Sequence, residues 1–326
     1  MRHIGVIGGG AWGTALAQVA SASGPVTLWA REPEVIDGVN ARHVNDVFLP
    51  GVPLDPAIRA TADLGDLAAC DAWLVVTPAQ FLRSVLAGAP TDPQRPLVLC
   101  SKGIEAGTGE LMSEVAASAV PGAPIAVLSG PTFAHEVAKG LPTAVTLACA
   151  ESGCADRLAA RLAQPTFRPY ASDDVIGAEV GGAVKNVLAI ACGAVVGRKL
   201  GENAKAALIA RGFAEMLRFG AAKGAQESTL GGLSGLGDLV LTCSSPQSRN
   251  MSLGIGLGEG RRAAELLAER RTVAEGASTA PVLLEAARRL RVDMPITESV
   301  VDLLDGAPID TVIGRLLNRP LRAEGF

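Results

Sequence analysis

Lys185 is the one charged residue between Val180 and Gly197, a run otherwise made of apolar and small side chains that would satisfy a buried helix on every side. A lysine there has two readings. Its stem can cross apolar surface and carry the head to water. Alternatively the amine stays dry, its pKa falls, and it exchanges protons with a bound substrate. Helical side chains lean toward the N-terminus, so Lys185 should project over Gly181 and Gly182, whose missing side chains leave a hollow beside the amine for a ligand.

A second chemistry-bearing stretch is GGLSGLGDLVLTCSSPQSRNMSLGIG, residues 231–256. Its glycine, serine and proline content describes a loop able to approach a ligand closely. Asp238, Thr242, Arg249 and Asn250 are its conspicuous polar residues. An arginine fork matches two phosphate oxygens, and Asn and Thr donors complete a cradle; a solvated surface loop is the plainer reading. Lys102 follows the apolar run Leu97–Cys100 and so faces a crevice at a strand's C-terminal end. Gly130 and Thr132, after Ile125–Leu128, offer a backbone approach and a hydroxyl.

These residues need elements to hold them. The chain opens with an apolar run, His3–Ile7, that ends in Gly8-Gly9-Gly10-Ala11-Trp12-Gly13 before a helix-forming segment. Read as G-x-G-x-x-G, Gly8 permits the tight turn, Gly10 lets backbone approach a pyrophosphate, and Gly13 lets helix pack on strand. Further apolar runs at 26–30, 72–76, 97–100, 125–128 and 144–148 alternate with helical segments, the pattern of βαβ units. From Val175 onward the periodicity is helical. The fold class expected is therefore α/β plus all-α: an N-terminal Rossmann-like, doubly wound, mainly parallel sheet over 1–172, and a C-terminal helical substrate domain over 173–326. Asp173 or Asp174 should cap the first helix of the second domain.

The formal net charge of −4 gives no general attraction for nucleic acid or anionic membrane, so an anionic ligand must meet a local basic cluster. Six cysteines without a C-x-x-C pair read as reduced core residues, and three scattered histidines argue against a metal site. No signal peptide or spanning helix is expected, because the opening apolar run stops at glycine and the uncharged stretch 115–135 is broken by prolines. Arg31 ends the second strand, where an acid would mark NAD and a base would suit the 2′-phosphate of NADP. Glu32 beside it leaves NAD and NADP both open.

GGGAWGTALA, SKGIE at 101–105, LSGPTFAHEVAKGLPTA at 128–144, VGGAVKNVLAIACG at 180–193 and GLSGLGDLVLTCSSPQSRN at 232–250 resemble the bacterial-type NAD(P)-dependent glycerol-3-phosphate dehydrogenases. The blocks run in that family's order along nearly the whole chain. The resemblance implies reversible reduction of dihydroxyacetone phosphate to sn-glycerol 3-phosphate in the cytoplasm, feeding phospholipid synthesis. It implies Lys185 as acid/base, with Lys102, Gly130, Thr132, Asp238, Thr242, Ser248, Arg249 and Asn250 on the substrate. It places Gly8, Gly10, Ala11, Trp12, Gly13, Arg31, Lys102, Ala134, Arg249, Val273 and Glu275 at the cofactor, and a homodimer follows by analogy. Two positions depart from the pattern: Glu32 where a second base is common, and Phe48 where tyrosine is usual. A 3-hydroxyacid-type dehydrogenase of the same plan, or a non-catalytic dinucleotide sensor, remain the alternatives.

Overall fold

The computed structural model describes residues 1–269 and 273–320 of the 326. The strands, in chain order, are β1 (Ile4–Ile7), β2 (Val26–Trp29), β3 (Val44–Asn45), β4 (Leu49–Pro53), β5 (Ile58–Thr61), β6 (Ala72–Val75), β7 (Leu97–Leu99), β8 (Ile125–Ser129), β9 (Thr143–Cys149) and β10 (Phe167–Ser172). Strand β1 is IGVI with every residue buried, as befits a central parallel strand covered on both faces. Among the described residues, eight strands form one sheet in the order β10-β9-β8-β7-β6-β1-β2-β5, and β3 with β4 makes a small antiparallel ribbon. All pairings in the large sheet are parallel except β8 with β9. Two apolar layers cover it. Helices Ala11–Ser21 and Cys154–Leu162 pack on one face with Val6, Leu28 and Leu74, while Leu82–Ala87 and Met112–Ala119 cover the other with Trp73, Val75 and Leu99.

The mainly parallel sheet was expected; its two margins were not. Strand β5 is IRAT, half exposed and carrying Arg59 outward, and β10 is FRPYAS with Pro169 inside it. Both lie at sheet edges, where one side of the ladder is open and a proline costs no hydrogen bond. Neither offers the continuous apolar run by which the interior strands were found.

The chain forms two compact units, 1–101 with 112–178, and 102–111 with 179–326. The sequence reading drew the line at 172/173 and kept 102–111 in the first half. Helix Val175–Gly197 bears on the difference, because its first residues, Val175 and Ala178, pack on the core of the sheet unit. Asp174 caps this helix, its Oδ1 accepting the Gly177 N–H at 2.8 Å. By length and composition the helix could cross a membrane, but its most apolar window is 89% buried in the protein, the mark of a core helix.

In the helical unit the backbones of Val175–Gly197 and Arg249–Gly258 touch. A Cβ on Gly193 would stand 2.1 Å from the Met251 carbonyl oxygen, and one on Gly254 would stand 2.0 Å from that of Ile190. Gly197 and Gly258 repeat the contact one turn on, against Ile255 and Ala194. These glycines fix where the lysine-bearing helix lies relative to the segment that carries Ser248, Arg249 and Asn250.

Candidate active site

Lys185 is held dry: the residue is 7% exposed, on a helix whose buried residues are mostly apolar, with Glu179 and Asn186 the other polar side chains buried along it. Its Nζ donates to Asp238 Oδ1 at 2.9 Å and to Thr242 Oγ1 at 2.9 Å. Helix Asp238–Ser244 supplies both partners, since residues four apart lie on one helix face. The Thr242 hydroxyl passes its own proton to Asp238 Oδ1 at 3.1 Å. An ammonium has three N–H bonds. Two are used here among the described residues.

Asp238 is fully buried and bridges two cations, for Lys102 Nζ donates to its Oδ2 at 2.6 Å. Burial alone would raise this carboxyl's pKa, but the two lysines outweigh it and hold Asp238 below its usual range. Burial pulls Lys185 down from 10.5 to about 8; Asp238 opposes this and Lys102 adds to it. The amine therefore sits near the pH at which it can both give and take a proton. The segment 102–111 belongs with the helical unit, so Lys102 meets Asp238 inside that unit.

The hollow expected over Gly181 is filled. A Cβ there would lie 2.3 Å from the Ser234 carbonyl oxygen and 2.9 Å from Gly235 Cα, so the missing side chain admits backbone instead of ligand. Gly181 thereby brings the 233–237 segment, and Asp238 directly after it, down onto the lysine helix.

Arg249, Asn250 and Ser248 start the helix Arg249–Gly258 with different duties. Arg249 is exposed. Ser248 Oγ caps the helix by accepting the Met251 N–H at 3.2 Å. Asn250 is buried, donating from Nδ2 to Asn186 Oδ1 at 2.8 Å and accepting the Gly276 N–H at 2.9 Å, so most of its amide is spent inside the fold. Asn186 escaped the sequence reading. Its signal was a carboxamide next to Lys185 in a run too apolar to leave it unbonded. Val273 is 49% exposed, and Glu275 begins the helix Glu275–Arg289 that carries Gly276.

The sheet unit holds the remaining residues. Gly8 has φ +126, a conformation that favours glycine, and a Cβ on Gly13 would fall 1.9 Å from the Gly8 carbonyl oxygen. A Cβ on Gly10 would meet nothing within 4 Å, leaving room for a phosphate at the start of Ala11–Ser21. Ala11 and Trp12 open that helix, and Trp12 Nε1 is buried without a hydrogen-bond partner among the described residues. The turn thus fits a dinucleotide's pyrophosphate. Arg31 is exposed after β2, and Ala134 packs against the core at the start of Ala134–Ala138. Gly130 has φ +159 and passes close to Val145, and Thr132 Oγ1 donates to the Gly130 carbonyl at 3.3 Å.

Two family models match this chain: the N-terminus of NAD-dependent glycerol-3-phosphate dehydrogenase over residues 3–155, and its C-terminus over 174–313. The chain belongs to the NAD-dependent glycerol-3-phosphate dehydrogenase family. A relative from Erythrobacter litoralis, named glycerol-3-phosphate dehydrogenase [NAD(P)+], is 63% identical over 99% of this chain and 98% of its own. One of the same name from Novosphingobium aromaticivorans is 63% identical with the same coverage. Among solved structures, glycerol-3-phosphate dehydrogenase from Coxiella burnetii is 38% identical with a TM-score of 0.92, over 98% of this chain and 99% of that one. A D-mandelate dehydrogenase shares the fold alone, at 13% identity and a TM-score of 0.64.

Proposed function

We propose that the enzyme interconverts dihydroxyacetone phosphate and sn-glycerol 3-phosphate, with Lys185 as the proton donor and acceptor. The observation that carries this is a buried ammonium, its pKa lowered to about 8, that spends two of its three N–H bonds on Asp238 and Thr242 among the described residues. Bound NADH or NADPH supplies the hydride. As the ketone carbon gains that hydride, its oxygen takes up the C=O pair as negative charge, and Lys185 transfers a proton to it. In the reverse direction neutral Lys185 takes the alcohol proton. Asp238 keeps the amine aimed, and Lys102 adds positive charge where the oxygen becomes negative.

Arg249, exposed at the start of its helix, is assigned to the substrate phosphate, with Gly130 and Thr132 as further contacts. Ser248 and Asn250 serve that role by fixing the helix start, given their bonds to Met251, Asn186 and Gly276. Arg31, Ala134, Val273 and Glu275 are assigned to the cofactor, with Glu32 leaving NADH and NADPH both usable. A cytoplasmic homodimer supplying phospholipid synthesis completes the proposal.

The test follows NADH and NADPH absorbance with dihydroxyacetone phosphate, with unphosphorylated dihydroxyacetone, and with 2-oxo and 3-oxo acids. Consumption with the phosphate ester alone is expected. Equal use of dihydroxyacetone would remove the phosphate-binding role from Arg249, and turnover of an oxo acid in place of the ester would favour a hydroxyacid dehydrogenase.

A further inference from the structure

The order in which strands are added to the sheet reverses between the parallel neighbours β1 and β6, since β1 leads outward to β2 and β5 while β6, β7 and β8 build the other side. Ligands of open α/β sheets bind outside the strand ends at such a reversal. Thr77 stands there, two residues past the end of β6. It abuts the glycine turn, because a Cβ on Gly8 would lie 2.9 Å from the Val76 carbonyl oxygen and 3.5 Å from Thr77 N.

Thr77 is 5% exposed, and its Oγ1 has no hydrogen-bond partner among the described residues. A buried hydroxyl without a partner is a net cost to the fold, and a ligand able to pair with it recovers that cost. Val75 is paired with Leu99, and Leu99 with Val127. Two residues further on, Thr77, Ser101 and Ser129 therefore end three adjacent strands at one level. Ser101 Oγ donates to the Thr77 carbonyl at 2.5 Å, which fixes the backbone of Thr77 and leaves its hydroxyl uncommitted. Ser129 Oγ, at the far end of the row, is also buried and unpartnered among the described residues.

We propose that the Thr77 hydroxyl is a positioning contact for the nicotinamide-ribose half of the bound dinucleotide. The pyrophosphate sits at the glycine turn and the adenosine half extends over β2 toward Arg31, so the other half must pass the β6 side, where Thr77 is the first side chain with an unused donor and acceptor. A ribose hydroxyl, itself donor and acceptor, satisfies both. The inference rests on the dinucleotide-dependent reading above and adds a residue to it.

The experiment measures NADH binding by fluorescence titration, ADP binding by competition, and the melting temperature of the ligand-free protein. The expected result for Thr77→Val is an NADH Kd raised roughly fivefold to tenfold, the worth of one hydrogen bond. ADP affinity should stay within about twofold, because ADP lacks the nicotinamide half, and the ligand-free melting temperature should not fall, because an unpaired hydroxyl is removed. Thr77→Ser should bind NADH like the native protein. Unchanged NADH affinity in Thr77→Val overturns the proposal. So does an equal loss for ADP, or a ligand-free melting temperature lowered by the valine, which would show a structural hydroxyl. A native protein that binds ADP but not NADH overturns both the proposal and the reading beneath it.

Discussion

At the scale of single residues, the proposed proton transfer rests on a carboxylate shared by two ammoniums. Lys185 is displaced to about 8 chiefly by burial, and Asp238 is the group that keeps it from falling further. With Lys185 as the proposed acid and base, reduction needs the protonated amine and oxidation the neutral one. The kcat/KM for ketone reduction should therefore decline as pH rises through about 8, while that for alcohol oxidation should climb over the same range. Asp238→Asn should shift both inflections to lower pH, since the attraction that raises the lysine's pKa is lost. Activity should drop on the order of a hundredfold or more, because an aimed general acid contributes about that much. Inflections that stay in place in Asp238→Asn would detach this carboxylate from the proton-transferring group. Lys185 itself was legible in the sequence because a lone charge in an apolar run demands a reason. Its partners were legible only as polar residues in a glycine-rich loop, since a separation of fifty-odd residues hides a contact that tertiary packing makes.

At the scale of elements, the glycines of the lysine helix admit neighbouring backbone, at Gly181 in place of the empty hollow expected there. Gly193 faces the Met251 carbonyl, with no room for a methyl group. Gly193→Ala should cost roughly 1–3 kcal/mol of stability by forcing the helices apart, seen as a lower denaturant midpoint, with activity falling as Lys185 and the Arg249–Asn250 helix start lose register. Glu215, on helix Glu202–Lys223, caps helix Pro295–Leu304 from outside: Oε1 accepts the Ile296 N–H at 2.5 Å, and Oε2 accepts the Thr297 N–H at 3.2 Å and its hydroxyl at 3.0 Å. Burial raises this carboxyl from 4.5 to about 7, and the donated hydrogen bonds offset only part of that. The folded chain thus binds a proton more readily than the unfolded one. The stability this adds is fully present below about 4.5 and is lost as pH rises through about 7. Between pH 5 and pH 8 the native protein should lose melting temperature relative to Glu215→Gln, which cannot ionise; parallel curves for the two would show that the carboxyl does not titrate there. Nothing local announced this cap, for its donor and acceptor elements are far apart in the chain.

At the scale of the whole molecule, the interior of the sheet could be read from apolar runs such as IGVI and LVL because both faces of those strands are covered. The edges could not, because IRAT and FRPYAS are half exposed and look like loops. The same limit explains the 102–111 segment, which groups with the helical unit, where Lys102 reaches Asp238, without any signal in its own sequence. The glycine turn offers a test that reads the stability of the entire chain. Gly10 has φ −68, a conformation any residue adopts, and a Cβ there would meet nothing within 4 Å. Gly10→Val should therefore melt like the native protein when no ligand is present. NADH at one hundred times its Kd stabilises a one-site protein by about 2.7 kcal/mol, which appears as a clear rise in melting temperature. That rise should be present in the native chain and absent in Gly10→Val, because the valine occupies the space kept for the pyrophosphate. An equal NADH-dependent rise in both proteins would move the cofactor's phosphates away from this turn, and a lower ligand-free melting temperature in the variant would show that Gly10 is kept for the fold and not for the ligand.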